Sequence, residues 1–137
     1  SKEEAPGFPI PVPVRAGEIE VGNPSVGVFL FPNNADMGAL ENILINCAEI
    51  SHKGICEPAR NLISQIDSSQ PEDCPSLKKL RAGMGRSKAI VGTIANVLKP
   101  GVSVASSLAQ TDWLNAQSIK EPNVEQTDEF LGQLIGM

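Results

Sequence analysis

Val26-Gly27-Val28-Phe29-Leu30-Phe31 leads through Pro32-Asn33-Asn34-Ala35-Asp36-Met37-Gly38 into a run from Ala39 to His52. Of the first six residues Val26 and Val28 are β-branched and Phe29 and Phe31 aromatic; with Leu30 the run is apolar on both parities apart from Gly27, and it is stopped by Pro32. Such a run reads as a strand buried on both faces, the pattern of a parallel strand covered by helices. The next seven are rich in turn formers. From Ala39 to His52 the apolar residues Leu40, Ile43, Leu44, Cys47, Ala48 and Ile50 recur at three-to-four spacing, the stripe of an amphipathic helix. Strand, polar loop and helix make half of a βαβ unit, so the chain is read as α/β.

Downstream of that unit the sequence is helical in pattern. A second helix is expected over Pro58–Ser68, with Pro58 in its first turn and Leu62, Ile63 and Ile66 inward, broken by Ser68-Ser69-Gln70-Pro71-Glu72-Asp73. A short helical stretch over Leu77–Arg81 is interrupted by Gly83-Met84-Gly85. Ser87 then reads as the cap of a helix to Leu98, which Pro100-Gly101 ends. Further helices are expected near Val104–Leu114, with Leu108 and Trp113, and over Gln126–Ile135, with Phe130, Leu131 and Leu134. Upstream, Pro6, Pro9, Pro11 and Pro13 remove amide donors and fix φ, so residues 1–25 form a proline-rich extended segment and residues 26–137 the remainder. Ile10, Val12 and Val14 alternate with those prolines. A lone strand needs a partner, which either this segment or residues upstream of Ser1 must supply.

Length and charge narrow the possibilities. At 137 residues the chain has room for one core and not for a second, substrate-binding lobe. Sixteen acidic residues against eleven basic ones give a net charge of -5 and a pI near 4.8, which argues against polyanion binding through bulk charge and leaves open a local basic site. No apolar run is long enough to span a membrane, and Ser1-Lys2-Glu3-Glu4 is not the start of a signal sequence, so no membrane partner is expected. Three cysteines without a CxxC pair point to free thiols and a cytoplasmic location.

Two places carry residues suited to chemistry. Glu41, in the first turn of the helix after the strand, and Asp36, in the loop before it, would lie at the carboxyl end of a strand, where open α/β sheets bind ligands. Their oxygens suit Mg²⁺. The plainer reading of Glu41 is an acid that offsets the helix dipole. Gly83-Met84-Gly85-Arg86-Ser87-Lys88 places glycines, backbone amides and two cations at a helix start, which suits phosphate through Arg86, Ser87 and Lys88. It is not a P-loop, because Ser87 precedes the lysine. Its plainer reading is a helix break with solvated charges. Cys47, His52, Cys56 and Cys74 are zinc-ligand types at unsuitable spacing, and buried cysteines acting as small hydrophobes fit better. His52 has no recognisable nucleophile motif to serve. Trp113, Phe8, Phe29, Phe31 and Phe130 read as core rather than a base-stacking platform.

Gly27-Val28-Phe29-Leu30-Phe31-Pro32-Asn33-Asn34 followed by Gly38-Ala39-Leu40-Glu41-Asn42 resembles the "GVFxxPDN" and "GMLEDL" pattern of an uncharacterised prokaryotic family regarded as Toprim-like, similar to the nuclease half of OLD-family proteins. The resemblance continues through Ser87-Lys88-Ala89, Ser107-Leu108-Ala109-Gln110, Trp113 and Phe130-Leu131, covering about Pro9 to Ile135. Asn33 and Asn42 stand where that pattern has acids, and the chain has no Asp-x-Asp. The resemblance therefore implies an α/β, partial Toprim-like (Rossmann-like) domain with few strands and several helices, the C-terminal part only. It further implies a metal-dependent phosphoryl-transfer role of nuclease type, inactive in this chain alone. Glu41 would be a catalytic residue and Mg²⁺ ligand, and Lys88 the catalytic lysine facing the scissile phosphate. Nucleic acid would be a partner only together with the missing half. The alternative is a non-catalytic interaction or scaffold module of the same fold. In either case Glu41 and Lys88 are expected to converge at one edge of a parallel sheet.

Overall fold

A computed structural model describes residues 12–36 and 38–136. In chain order it has strands β1 (Ile19–Glu20) and β2 (Val26–Gly27), then helices α1 (Leu40–Ser51), α2 (Lys53–Ser68), α3 (Gly85–Leu98), α4 (Val104–Gln110) and α5 (Pro122–Leu134). Short 3-10 turns stand at Pro75–Leu77 and Ser118–Lys120. The fold is mixed α and β, with far more helix than strand. Two compact units divide the chain, one from the described residues of 1–38 and 122–137, the other from 39–121. Pro6, Pro9, Pro11, Phe8, Ile10 and Met37 lie outside the described residues.

In the first unit the expected doubly buried strand is not formed. β2 holds two residues and pairs antiparallel with β1, Ile19 opposite Gly27 and Glu20 opposite Val26. The partner comes from the proline-rich leading segment, one of the two sources expected, but the pairing is a local ribbon and not a parallel sheet. Leu30 is 58% exposed and Phe31 43%. The reason lies in the Leu30 backbone. Its N–H donates to Asn34 Oδ1 and its carbonyl accepts from the Asn34 N–H, both at 2.7 Å, so the groups a longer ladder would use close a turn instead. Asn34, at φ 65°, is the residue type that tolerates this turn. Gly27 is required by packing: a Cβ there would stand 2.7 Å from Phe130 Cζ of α5. Phe130 also meets Phe29, ring centroids 5.2 Å apart, and this pair with Leu134 forms an apolar contact within the unit.

The second unit is all helical, and its core follows the helix periodicities only in part: Leu40 and Ile50 of α1 and Leu62 and Ile66 of α2, expected inward, are exposed, and Cys56 and Ala59 take the inner side of α2 with Ile63. Ile43, Leu44, Cys47 and Ala48 of α1, Cys56, Ala59 and Ile63 of α2, and Ile90, Val91, Ile94 and Ala95 of α3 are buried. Trp113 is wholly buried, and its Nε1 donates to the Leu44 carbonyl at 2.8 Å. Ser107 Oγ donates to the Ala95 carbonyl at 3.0 Å, and Ser118 Oγ to the Trp113 carbonyl at 2.8 Å. These bonds satisfy buried polar atoms that would otherwise cost free energy. They fasten the chain from α4 to Ser118 onto α1 and α3.

Several helix boundaries are corrected. α1 matches its expected span, and His52 links it to α2, accepting at its carbonyl from the Ile55 and Cys56 amides, both at 2.9 Å. α2 therefore starts at Lys53, and Pro58 lies inside it rather than in its first turn. Pro58 offers no N–H to the Gly54 carbonyl, and Gly54 is exposed, so that carbonyl is not shut away from solvent. Leu77–Arg81 forms no α-helix, only turns after Pro75–Leu77. α3 starts at Gly85 with Met84 as its cap residue, so Ser87 is inside the first turn and not the cap. α4 ends at Gln110, four residues early, and α5 starts at Pro122, four residues before Gln126. No helix of the described residues is long and apolar enough to cross a membrane.

Candidate functional site

The start of α3 is shaped by one close approach. A Cβ on Gly85 would lie 2.0 Å from the Lys79 carbonyl oxygen and 2.8 Å from that of Leu80, so only glycine lets the incoming turn press against the helix start. That turn brings Lys79 beside Lys88. The two line an open cleft of about 530 Å³ together with Leu80, Ala82, Met84, Gly85 and Ala89. No acidic residue lines it. Both lysines are exposed, and among the described residues neither ammonium has an ion-pair partner.

Arg86, expected to contact phosphate, turns the other way. Its Nη2 pairs with Asp67 Oδ2, and its Nη1 donates to Ser64 Oγ at 3.2 Å. Asp67 is shared. Arg81 Nε donates to Asp67 Oδ1 at 2.6 Å, and the same guanidinium donates to the carbonyls of Pro71, Glu72 and Asp67 at 2.7, 2.6 and 3.0 Å. The hydrogen bond from Arg81 is the largest influence on the Asp67 carboxyl; desolvation opposes it, and the charges of Arg81 and Arg86 add to the lowering, so the carboxyl is held below the usual carboxylate range. One carboxylate thus clamps the end of α2, the loop after it and the first turn of α3. Ser87 is half-buried and does not line the cleft. Of the three expected phosphate contacts, Lys88 faces it.

Glu41 lies in the first turn of α1 and is not among the residues lining the cleft. Among the described residues no parallel sheet forms at whose edge Glu41 and Lys88 could converge: both strands lie in the other unit and pair antiparallel. Asp36 is exposed in the first unit, where its Oδ2 accepts from Asn33 Nδ2 at 2.7 Å and its amide donates to Asn33 Oδ1 at 2.9 Å. Asn42, which stands where the resembled pattern has an acid, caps α1: its Oδ1 accepts from the Ala39 amide at 3.0 Å. Among the described residues no group of three or more His, Cys, Asp and Glu gathers to hold a metal ion. The donor set does not fit a two-ion centre, which needs several carboxylates around the ions.

The cysteines are free thiols. Cys47 and Cys56 are buried in the core, the former with its Sγ 3.5 Å from the Ser118 carbonyl. Burial, with the Glu121 charge second, pushes the Cys47 thiol up to about 11.

A profile of the family described as protein of unknown function DUF3226 matches residues 3–135. The chain belongs to DUF3226. No curated protein and no solved structure matches it. Membership in DUF3226 carries no link to Toprim or OLD nucleases. Lys79 is the site residue that motif reading misses. The signal is present in the sequence: from Cys74 to Thr111 the DUF3226 chain has six of its eleven cations and none of its sixteen acids.

Proposed function

We propose that this DUF3226 chain is the phosphate-holding, C-terminal portion of a Toprim-like phosphoryl-transfer domain of the cytoplasm, of nuclease type, with Lys88 as the phosphate contact. The observation that carries this reading is the acid-free cleft where Lys88 and Lys79 meet the first turn of α3. Two ammonium groups beside a helix N-terminus favour a dianionic phosphoryl group by charge and by dipole. Lysine acts there as a point charge that neutralises the equatorial oxygens. Glu41, at the first turn of α1, is the acid that the resemblance assigns to a metal cluster. Because the described donors do not complete such a cluster, cleavage is assigned to no residue of this chain alone. A scaffold role is the second reading, favoured by Asn42, whose amide caps α1 where the resembled pattern carries an acid.

Titration of inorganic phosphate, followed by the amide resonances of Gly85 to Lys88, tests the reading. Saturable shifts that disappear in Lys88→Gln support it, and identical titrations in both proteins would sink it. With Mg²⁺ or Mn²⁺, the chain is expected to leave DNA and RNA intact. Cleavage abolished by Glu41→Gln would show a complete site and overturn the partial-site reading.

A further inference from the structure

Charge in this chain is sorted by segment. From Cys74 to Thr111 it has Lys78, Lys79, Arg81, Arg86, Lys88 and Lys99 and no acid, in a chain of net charge -5. Arg81 and Arg86 are bound to Asp67, Lys99 Nζ donates to Gln110, and Lys78 lines an adjoining cleft beside Glu72 and Asp73. Lys79 and Lys88 are left facing the open cleft, to which Leu80, Ala82, Met84 and Ala89 give an apolar wall. The opposite charge is concentrated on α5. From Pro122 to Leu134 that helix has Glu125, Asp128 and Glu129 and no cation. All three are exposed, and among the described residues none has an ion-pair partner. Glu125, in the first turn, offsets the helix dipole, but Asp128 and Glu129 lie beyond its reach. Phe130 fixes the buried side of α5 against Phe29 and Gly27. The outer side presents the acids beside Leu131, 49% exposed, and Ile135, 66% exposed, whose amide continues the helical bonding to the Leu131 carbonyl.

We propose that the Lys79–Lys88 cleft of one copy of this chain receives the acidic outer face of α5 from a second copy. Each surface carries what the other lacks. The cleft has two ammonium groups, an apolar wall and no acid, whereas α5 has three carboxylates, exposed apolar neighbours and no cation. Asp128, Leu131 and Ile135 recur at three-to-four spacing, so one stripe of α5 offers charge and apolar surface side by side, as the cleft does. Complementary potentials of this kind select a partner and its orientation more than they add affinity. Exposed ion pairs are individually weak and are screened by salt, so the association is weak and salt-sensitive. Because it joins two different surfaces, the contact is head-to-tail. It goes beyond the phosphate reading and does not rest on it. Where both hold, the second copy and phosphate compete for Lys88.

Sedimentation equilibrium of the full chain at low salt, from micromolar to millimolar concentration, tests the proposal. The weight-average mass is expected to rise above that of one chain as concentration increases, and to return to it at high salt. Lys79→Glu with Lys88→Glu in one protein, and Asp128→Lys with Glu129→Lys in another, each abolish the rise. Mixed in equal amounts, these two variants associate again, because the reversed cleft of one meets the reversed α5 of the other. Recovery on mixing separates pairing of these two faces from a misfolded variant or a change in net charge, and near-ultraviolet circular dichroism of Trp113 confirms that each variant is folded. Lys53→Glu with Glu57→Lys, a swap outside both faces, leaves the native curve unchanged. A single-chain mass at every concentration, a rise that either reversed variant retains by itself, a loss in the Lys53 and Glu57 swap, or no recovery on mixing each overturns the proposal. Failure of the phosphate reading is separate: there Lys88→Gln leaves the phosphate titration unchanged while the native chain still gains mass with concentration.

Discussion

Asp67 is a surface carboxylate with an unusual number of duties, and its ionisation is tied to the fold. Its carboxyl is held below the usual range by the hydrogen bond from Arg81 and by the charges of Arg81 and Arg86. A carboxyl whose folded value is depressed contributes stability that is present above its unfolded value, about 3.9, and is lost as pH falls through the folded value. Asp67→Asn is therefore expected to lower the melting temperature at pH 7 and to remove part of the decline in melting temperature below pH 4. Thermal scans of both proteins from pH 7 to pH 2 check this, and parallel curves would show that the clamp contributes nothing. The thiols give a second residue-scale expectation. Cys47 and Cys56 are buried while Cys74 is partly exposed, so the native chain reacts quickly with a thiol reagent at Cys74 alone. Denaturant releases the other two, and fast native labelling at Cys47 by peptide mapping would contradict their burial.

Among the elements, helices were legible in the sequence because their signal is local and repeated. α1 follows from six apolar residues at three-to-four spacing, and its boundaries differ from expectation by a single residue at each end. Its helical start is also held by Asn42, whose side chain reaches back to Ala39. Prolines misled. A proline at the first helical position is a start signal, and two candidates carry it: Pro58, which lies inside α2, and Pro122, which opens α5. Choosing between them needs the turn geometry at His52, whose carbonyl accepts two amides and continues the chain directly from α1 into α2. Ser87 misled in the same way, because a serine near a glycine pair resembles a cap, whereas packing of Gly85 against the Lys79 carbonyl sets the start of α3.

At the scale of the whole molecule, the all-helical unit closes over Trp113, which no helix contains. Its ring is wholly buried and its Nε1–H bonds the Leu44 carbonyl, joining the turn after α4 to α1. Trp113→Ala removes that bond and leaves a large cavity, a change expected to cost about 3–5 kcal/mol. Trp113→Phe keeps most of the apolar volume and is expected to cost far less. Urea titrations of the two variants check the order, and equal midpoints for wild type and Trp113→Ala would show that the ring is not central to the core.

The sequence by itself determined that this chain is acidic, helix-rich and provided with a local basic segment, because composition, helical period and runs of like charge are properties of neighbouring residues. It also marked Lys88 and the glycines before it as suited to phosphate. Tertiary structure decided the rest. The run from Val26 to Phe31 has the composition of a buried strand, yet Leu30 spends both backbone groups on Asn34, and the pairing with the leading segment ends with the bonds of Val28 to Gly17 and Glu18. Arg86 has the composition of a phosphate ligand, yet Asp67, nineteen residues earlier, takes its guanidinium and leaves Lys79 to share the cleft with Lys88. Which hydrogen-bonding group a residue meets depends on chain segments brought together from a distance, and a single sequence read along its length does not contain that pairing.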